Sequence, residues 1–136
     1  MQVLRELVEA YQAFEAYALP HIKKQGLTPP QFDVIATLGN TEGMTFKALG
    51  QRTLIYKTTL TSVVDRLQER ELVERVPAET DRRSIIARLT PAGHALFREI
   101  FPAHSEHLRI RLERLTDREM TEAIRVLRRL RSAFED

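Results

Sequence analysis

Residues 79–90 of the chain read ETDRRSIIARLT. The charged tip at residues 81–83 lies between two β-prone runs, residues 72–76 and 84–89, and the second run leads directly into Thr90-Pro91, a helix start. Two such runs joined by a short polar loop predict a β-hairpin. The tip carries Arg82 and Arg83, and arginine is well suited to phosphates and narrow grooves. The stretch therefore predicts a hairpin that reaches outward to a nucleic acid.

The chain before the hairpin predicts a two-faced helix over residues 57–70. Its apolar side chains recur every three or four residues and so form one stripe along the helix, which consists of Leu60, Val63, Val64 and Leu67. Thr58, Thr61, Ser62 and Asp65 lie opposite that stripe, with Thr59 and Arg66 beside it. The small polar and basic side chains at the helix start are Lys57, Thr58, Thr59, Thr61 and Ser62. Such side chains suit base edges and phosphates when a helix lies in a major groove.

Each element has an ordinary explanation when it is taken alone. A polar helix face is usually a solvated surface, and a charged hairpin tip is often a surface salt bridge. Asp81 is expected to hold one guanidinium group of the tip in a bidentate pair. The order of the two elements, with the hairpin directly after the polar-faced helix, favours DNA binding over both explanations.

Helical patterns flank this pair on both sides. We predict helices over residues 2–24, 29–39, 46–52 and 91–114, and a last helix from residue 116 onward, with capping boxes at Thr28 and Thr116. Pro20 is expected to bend or end the first helix, and Pro102 is expected to kink the fifth. The order predicts a mainly α fold with a small β-hairpin wing, a winged helix-turn-helix flanked by long helices.

Composition limits the class of protein. The 136 residues are 43% hydrophobic and 29% charged, as in ordinary globular proteins, and one domain is expected. No apolar run is long enough to span a membrane and no secretory signal is recognised, so we expect a cytoplasmic protein without a membrane partner. The lack of cysteine excludes disulfides and thiolate chemistry. The net charge of +2 is small, but residues 47–88 hold 9 basic and 6 acidic side chains.

From about residue 27 to residue 93, and more loosely throughout, the sequence resembles the MarR family of bacterial transcriptional regulators. The resemblance is carried by residues 45–49, 58–61, 64–67, 72–75 and 81–93. Its most specific part is the Asp-x-Arg of the wing, followed five residues later by Leu-Thr-x-x-Gly. The resemblance implies a homodimer on a palindromic double-stranded DNA operator, with a DNA-binding lobe at about residues 28–90 and dimerisation helices at about 1–25 and 91–136.

The resemblance also implies roles for individual residues. Each recognition helix would lie in a major groove and each wing in the adjacent minor groove, and the candidate DNA-binding residues are Lys57, Thr58, Thr59, Thr61, Ser62, Arg66, Arg82 and Arg83. Asp81 would brace the wing, and Arg83 would enter the minor groove. Arg66 lies at a position that serves either a phosphate contact or an ion pair, whereas Asp65 is expected to be structural.

Two residues depart from the family pattern. Tyr56 stands where many members carry a serine or threonine cap, so either the helix start is held differently or Tyr56 itself contacts a phosphate. Glu71 stands where a glycine usually ends the recognition helix, which places a non-glycine residue in an unfavourable turn.

Members of the family commonly release DNA when a small phenolic or anionic molecule binds between the dimerisation helices and the DNA-binding lobe. The resemblance therefore implies a ligand-released repressor. The aromatic and histidine side chains that could line such a site are Tyr11, Phe14, Tyr17, His21, Phe32, His94 and Phe97. Core packing is the more usual role for each of these side chains.

Three alternatives differ from this interpretation. His104 and His107 lie one helical turn apart and could share a metal ion, as in a metal-responsive regulator of the same fold, but the ligand set is incomplete and no cofactor or metal is predicted. A winged helix that binds protein rather than DNA is the second alternative. An enzyme is not predicted, because no nucleophile motif, phosphate-binding glycine loop or carboxylate pair stands out.

Overall fold

The computed structural model describes the backbone of residues 1–136 and every side chain except that of Lys57. Six helices and three strands follow one another as α1 (Gln2–Lys24), α2 (Pro29–Leu38), β1 (Met44–Thr45), α3 (Phe46–Arg52), α4 (Lys57–Glu69), β2 (Val73–Pro77), β3 (Ile85–Leu89), α5 (Pro91–Leu112) and α6 (Asp117–Phe134). This order confirms the predicted mainly α fold with a hairpin wing. None of the described helices is long and apolar enough to cross a membrane.

The chain divides into two compact units, Met1–His104 and Ser105–Asp136, and the boundary falls within α5. The first unit contains the hydrophobic core, which α1 to α5 and the sheet share. Ile35 and Leu38 of α2, Leu49 of α3, and Val64 and Leu67 of α4 are fully buried there. Burial of each such side chain contributes about 1.5–3 kcal/mol to folding. The apolar stripe predicted for α4 is therefore the face by which that helix packs on its own domain.

Local hydrogen bonds explain where several helices begin. The two predicted capping boxes are present, with Thr28 paired to Gln31 and Thr116 paired to Glu119. In the second, the backbone N–H of Thr116 donates to the Glu119 carboxylate and holds the pKa of that group below its ordinary value. Helix α1 spans the predicted residues with Pro20 inside it, so of the two expected effects, a bend or an end, the proline does not end the helix.

The wing belongs to a three-stranded antiparallel sheet in the order β1-β3-β2. Strand β3 pairs with β2 along the hairpin and with β1 through Met44 opposite Ala87. The sequence analysis did not predict β1, because two residues are too few to show a period-two pattern. Glu74 and Arg88 lie directly opposite each other on β2 and β3, and their side chains form an ion pair of 2.6 Å.

Helix α4 ends in an unusual backbone conformation. The N–H groups of Glu71 and Leu72 donate to the carbonyls of Gln68 and Leu67, a Schellman motif in which Glu71 has a φ of 60°. That region favours glycine, because a side chain there clashes with its own backbone. The departure noted in the sequence thus corresponds to a strained residue at the exit of α4.

We expect Glu71→Gly to stabilise the protein by about 0.5–1 kcal/mol. Relief of the left-handed strain exceeds the entropy that glycine adds to the unfolded chain. Urea unfolding measures the difference, and Glu99→Gly, an exposed position in the middle of α5, serves as a control that should lose about the same amount. A destabilised Glu71→Gly variant would contradict the assignment of strain to this residue.

Candidate nucleic-acid interface

The outer face of α4 is polar and open to solvent. Thr58, Thr59, Thr61, Ser62 and Arg66 are all exposed, whereas the stripe on the opposite face is buried. The Ser62 hydroxyl donates to the Thr59 carbonyl at 2.9 Å, which leaves its oxygen free to accept a hydrogen bond from outside. The side chain of Lys57, also predicted to contact DNA, lies outside the described part of the structure. The remaining predicted side chains therefore form one accessible surface.

Arg75 of β2 holds α4 against its neighbours. Its guanidinium forms an ion pair of 2.6 Å with Asp65 and donates to the Gln68 side chain, both on α4. The same guanidinium lies 5.2 Å from the centre of the Phe46 ring on α3, within the range of a cation–π contact. Asp65 thus has the structural ion pair that was expected of it.

The turn between α3 and α4 is fixed by its backbone. The Leu54 N–H donates to the Asp33 carboxylate at 2.8 Å, and the Thr53 hydroxyl donates to the Leu49 carbonyl at 2.8 Å. Tyr56 occupies the N-cap of α4, where its carbonyl accepts from the N–H groups of Thr59 and Leu60. Its side chain makes no cap hydrogen bond. The helix start is therefore held differently from one capped by serine or threonine.

Asp81 organises the tip of the wing through backbone contacts. Its carboxylate accepts from the Arg83 N–H at 3.0 Å and from the Ser84 hydroxyl at 3.4 Å, while its carbonyl accepts from the Ser84 N–H. The expected bidentate pair between Asp81 and a guanidinium is absent among the described side chains. Asp81 binds backbone instead, because a carboxylate two residues before an N–H in a tight turn readily closes an Asx turn.

The two wing arginines are exposed and carry no internal partner. Within the part of the chain that the structure describes, neither Arg82 nor Arg83 forms an ion pair or a side-chain hydrogen bond. An unpaired guanidinium can bind a phosphate or enter a groove without first breaking a protein contact. The wing therefore offers two cations on a tip whose backbone Asp81 holds in shape.

Three aromatic rings meet inside the first unit. The Nδ1 atoms of His21 on α1 and His104 on α5 lie 2.9 Å apart, with their rings stacked at 5.1 Å between centres. Phe32 of α2 approaches His104 edge-on at 4.8 Å. His104 is only 5% exposed. From the sequence, His104 was predicted only as a possible metal ligand. Its spacing after Phe97 and Ile100 continues the buried stripe of α5, which could have indicated that its side chain is buried.

The other candidate ligand residues are dispersed. Tyr11 and Phe14 are exposed on α1 with ring centres 6.5 Å apart, and Tyr17 is half-buried one turn before His21. Phe97 packs in the core. His94 borders an open groove that also includes Thr41 and Pro77. The structure thus brings His21 and Phe32 together and leaves His94 at a different surface.

The histidines do not complete a metal site in the described residues, where no group of three or more histidine, aspartate or glutamate side chains could hold a metal ion. His104 directs one ring nitrogen to His21, and His107 is half-buried. The metal-responsive alternative therefore gains no support from the arrangement of these side chains.

Known proteins resemble this chain in fold and in sequence. The MarR family profile matches residues 25–84. MhqR, an HTH-type transcriptional regulator of Bacillus subtilis, is 31% identical over 91% of this chain and 86% of its own length. MdtR, an HTH-type transcriptional repressor of the same organism, is 29% identical over 92% of this chain and 81% of its own. BpsR of Bordetella bronchiseptica, whose DNA binding is regulated by 6-hydroxynicotinic acid, is 28% identical in sequence. Its solved structure superposes with a TM-score of 0.83 and covers 98% of this chain and 94% of its own. With its polar-faced helix and its arginine wing, this chain is a member of the MarR family of transcriptional regulators.

Proposed function

We propose that the protein is a cytoplasmic repressor that binds double-stranded DNA with α4 in the major groove and the wing in the adjacent minor groove. The observation that carries this proposal is the pair of unpaired arginines on a braced wing, next to an exposed helix face of threonine and serine. Hydroxyls of that face reach base edges or phosphates, and Arg66 adds a cation beside them. The similarity to MdtR, a transcriptional repressor, supports repression rather than activation.

We propose a homodimer as the form that binds. Helix α1 exposes an apolar series that a single chain leaves in water: Val3, Leu7, Val8, Tyr11 and Phe14. Helix α6 separately exposes Ile124, Leu127 and Phe134. Contiguous exposed apolar surface of this kind marks an interaction site. Two-fold symmetry would place two recognition helices about one helical turn of DNA apart, on a palindromic site.

Selection of bound duplexes from a random DNA pool tests the function. We expect the selected sequence to be palindromic. The logarithm of the binding constant should fall by close to 0.9 per log unit of salt concentration for each phosphate neutralised. Sedimentation should give twice the chain mass of 15.7 kDa. Binding that is flat in salt, or a pool from which no sequence is enriched, would favour the winged helix as a protein-interaction module.

The effector that we propose is a small hydroxy-aromatic acid, bound beside His21, His104 and Phe32. The stacked rings of His21 and His104 and the edge-on ring of Phe32 offer aromatic surfaces that suit a planar aromatic ligand. The regulation of BpsR by 6-hydroxynicotinic acid supports this chemical class. In the same experiment, adding 6-hydroxynicotinic acid or 4-hydroxybenzoate to the selected complex should release the DNA. Release that persists in a Phe32→Ala variant would move the effector away from this position.

A further inference from the structure

Two large apolar side chains are almost wholly exposed in the turn before α4. Leu54 is 97% exposed and Tyr56 is 84% exposed, whereas Ile55 between them packs against the core. A single exposed apolar residue on a protein surface is ordinary. Here two of them, which we term the apolar pair, lie two residues apart in one short turn, directly before the helix whose outer face we propose contacts DNA.

Main-chain hydrogen bonds hold this turn, and they do not involve the side chains of the apolar pair. The Leu54 N–H is bonded to Asp33, and the Tyr56 carbonyl accepts the first N–H groups of α4. These contacts use main-chain atoms of Leu54 and Tyr56 and leave both side chains in water. The turn therefore presents the apolar pair outward in a defined position.

The N-cap position makes tyrosine a poor choice for the helix itself. Serine, threonine or aspartate there would accept a backbone hydrogen bond and stabilise α4, but the Tyr56 side chain accepts none. An exposed leucine likewise contributes nothing to the core. Neither side chain thus has a role within the isolated chain that accounts for its size and its apolar character.

The chemistry of a DNA groove supplies such a role. The first residues of a recognition helix approach base edges in the major groove, where most groups are hydrogen-bond donors or acceptors. The thymine C5-methyl is the apolar group on that edge, and apolar side chains recognise it by contact. Building on the proposed DNA-binding function, we infer that Leu54 and Tyr56 contact thymine methyl groups and select thymine near the start of α4.

Replacement of thymine by deoxyuridine isolates this contact, because uracil lacks only the methyl and keeps every hydrogen-bonding group. In the duplex selected by the full-length protein, thymines are replaced one at a time. We expect one or two positions in each half-site at which affinity falls about fourfold, the effect of burying one methyl-sized group. Wild-type protein that tolerates uracil at every position overturns the inference, whereas failure to select any duplex contradicts the proposed function itself.

Variants then assign the preference to the apolar pair. Leu54→Ala combined with Tyr56→Ala should bind the thymine and uracil duplexes equally, with the thermal unfolding of the parent because both side chains are exposed. Tyr56→Phe serves as the matched control and should keep the preference for thymine. A thymine preference that survives in the double variant overturns the inference. A thymine preference that is lost in Tyr56→Phe assigns the preference to the tyrosine hydroxyl and overturns the part of the apolar ring in reading the methyl.

Discussion

Arg83→Ala is expected to weaken operator binding by about 1–3 kcal/mol and to leave the fold intact. The Arg83 side chain has no ion pair among the described residues, and only its backbone N–H bonds to Asp81. Its removal therefore costs the protein little stability, while the complex loses a guanidinium at a groove or phosphate. Because a phosphate contact also releases counterions, the salt dependence of binding should become shallower if Arg83 contacts a phosphate. Fluorescence anisotropy with the selected duplex measures both quantities.

Arg98→Ala is the matched control for this variant. Arg98 is exposed on α5, so its loss changes the net charge by the same amount without touching the wing. We expect Arg98→Ala to bind the duplex nearly as the parent does. If Arg83→Ala also keeps the parent affinity while sedimentation shows an unchanged oligomer, the wing has no part in DNA binding.

Gly93→Ala is expected to destabilise the protein by about 1–3 kcal/mol, the usual result of adding a group to a packed site. A Cβ at Gly93 would lie 2.1 Å from the Leu72 carbonyl oxygen, a backbone atom. The same oxygen accepts the Thr90 N–H at 3.1 Å, and the Thr90 hydroxyl donates to the Glu71 carbonyl at 2.7 Å. An added methyl therefore separates the exit of α4 from the start of α5.

The sign of this change decides between two explanations of the glycine. Helix propensity alone predicts that alanine stabilises α5 by about 0.5–1 kcal/mol, whereas the close approach to Leu72 predicts a loss. Urea unfolding distinguishes a gain from a loss directly. Ala92→Ser, an exposed change in the same turn, should stay within about 0.5 kcal/mol of the parent. A Gly93→Ala variant at least as stable as the parent would show that the backbone relaxes at this contact.

Features determined by neighbouring residues could be predicted from the sequence. The capping boxes at Thr28 and Thr116 and the buried stripe of α4 depend on spacings of three and four residues, and each is present. The left-handed Glu71 was also expected, because a non-glycine residue stands at a helix exit. Local geometry is enough to fix such features.

Features determined by distant pairing could not be predicted. Strand β1 exists because Met44 and Thr45 pair with a hairpin about forty residues away, and two residues carry no period of their own. The partner of Asp81 depends on how tightly the wing turns, which the sequence letters do not specify. The approach of His21 to His104 joins two residues that are 83 positions apart in the chain. The assignment of individual DNA-contacting residues remains a prediction.

Arg75 joins the two elements that we propose contact DNA. Because this one side chain links β2 to Asp65 and Gln68 of α4 and lies over Phe46 of α3, the wing and the recognition helix are joined as one body. An extra base pair between the two groups of contacts would move one set by about 3.4 Å along the duplex and turn it by roughly 35° about the axis. A joined body cannot follow that displacement. With α4 and the wing both bound to DNA as proposed, the protein would respond to the length of its site as well as to its bases, and Arg75 would set that length.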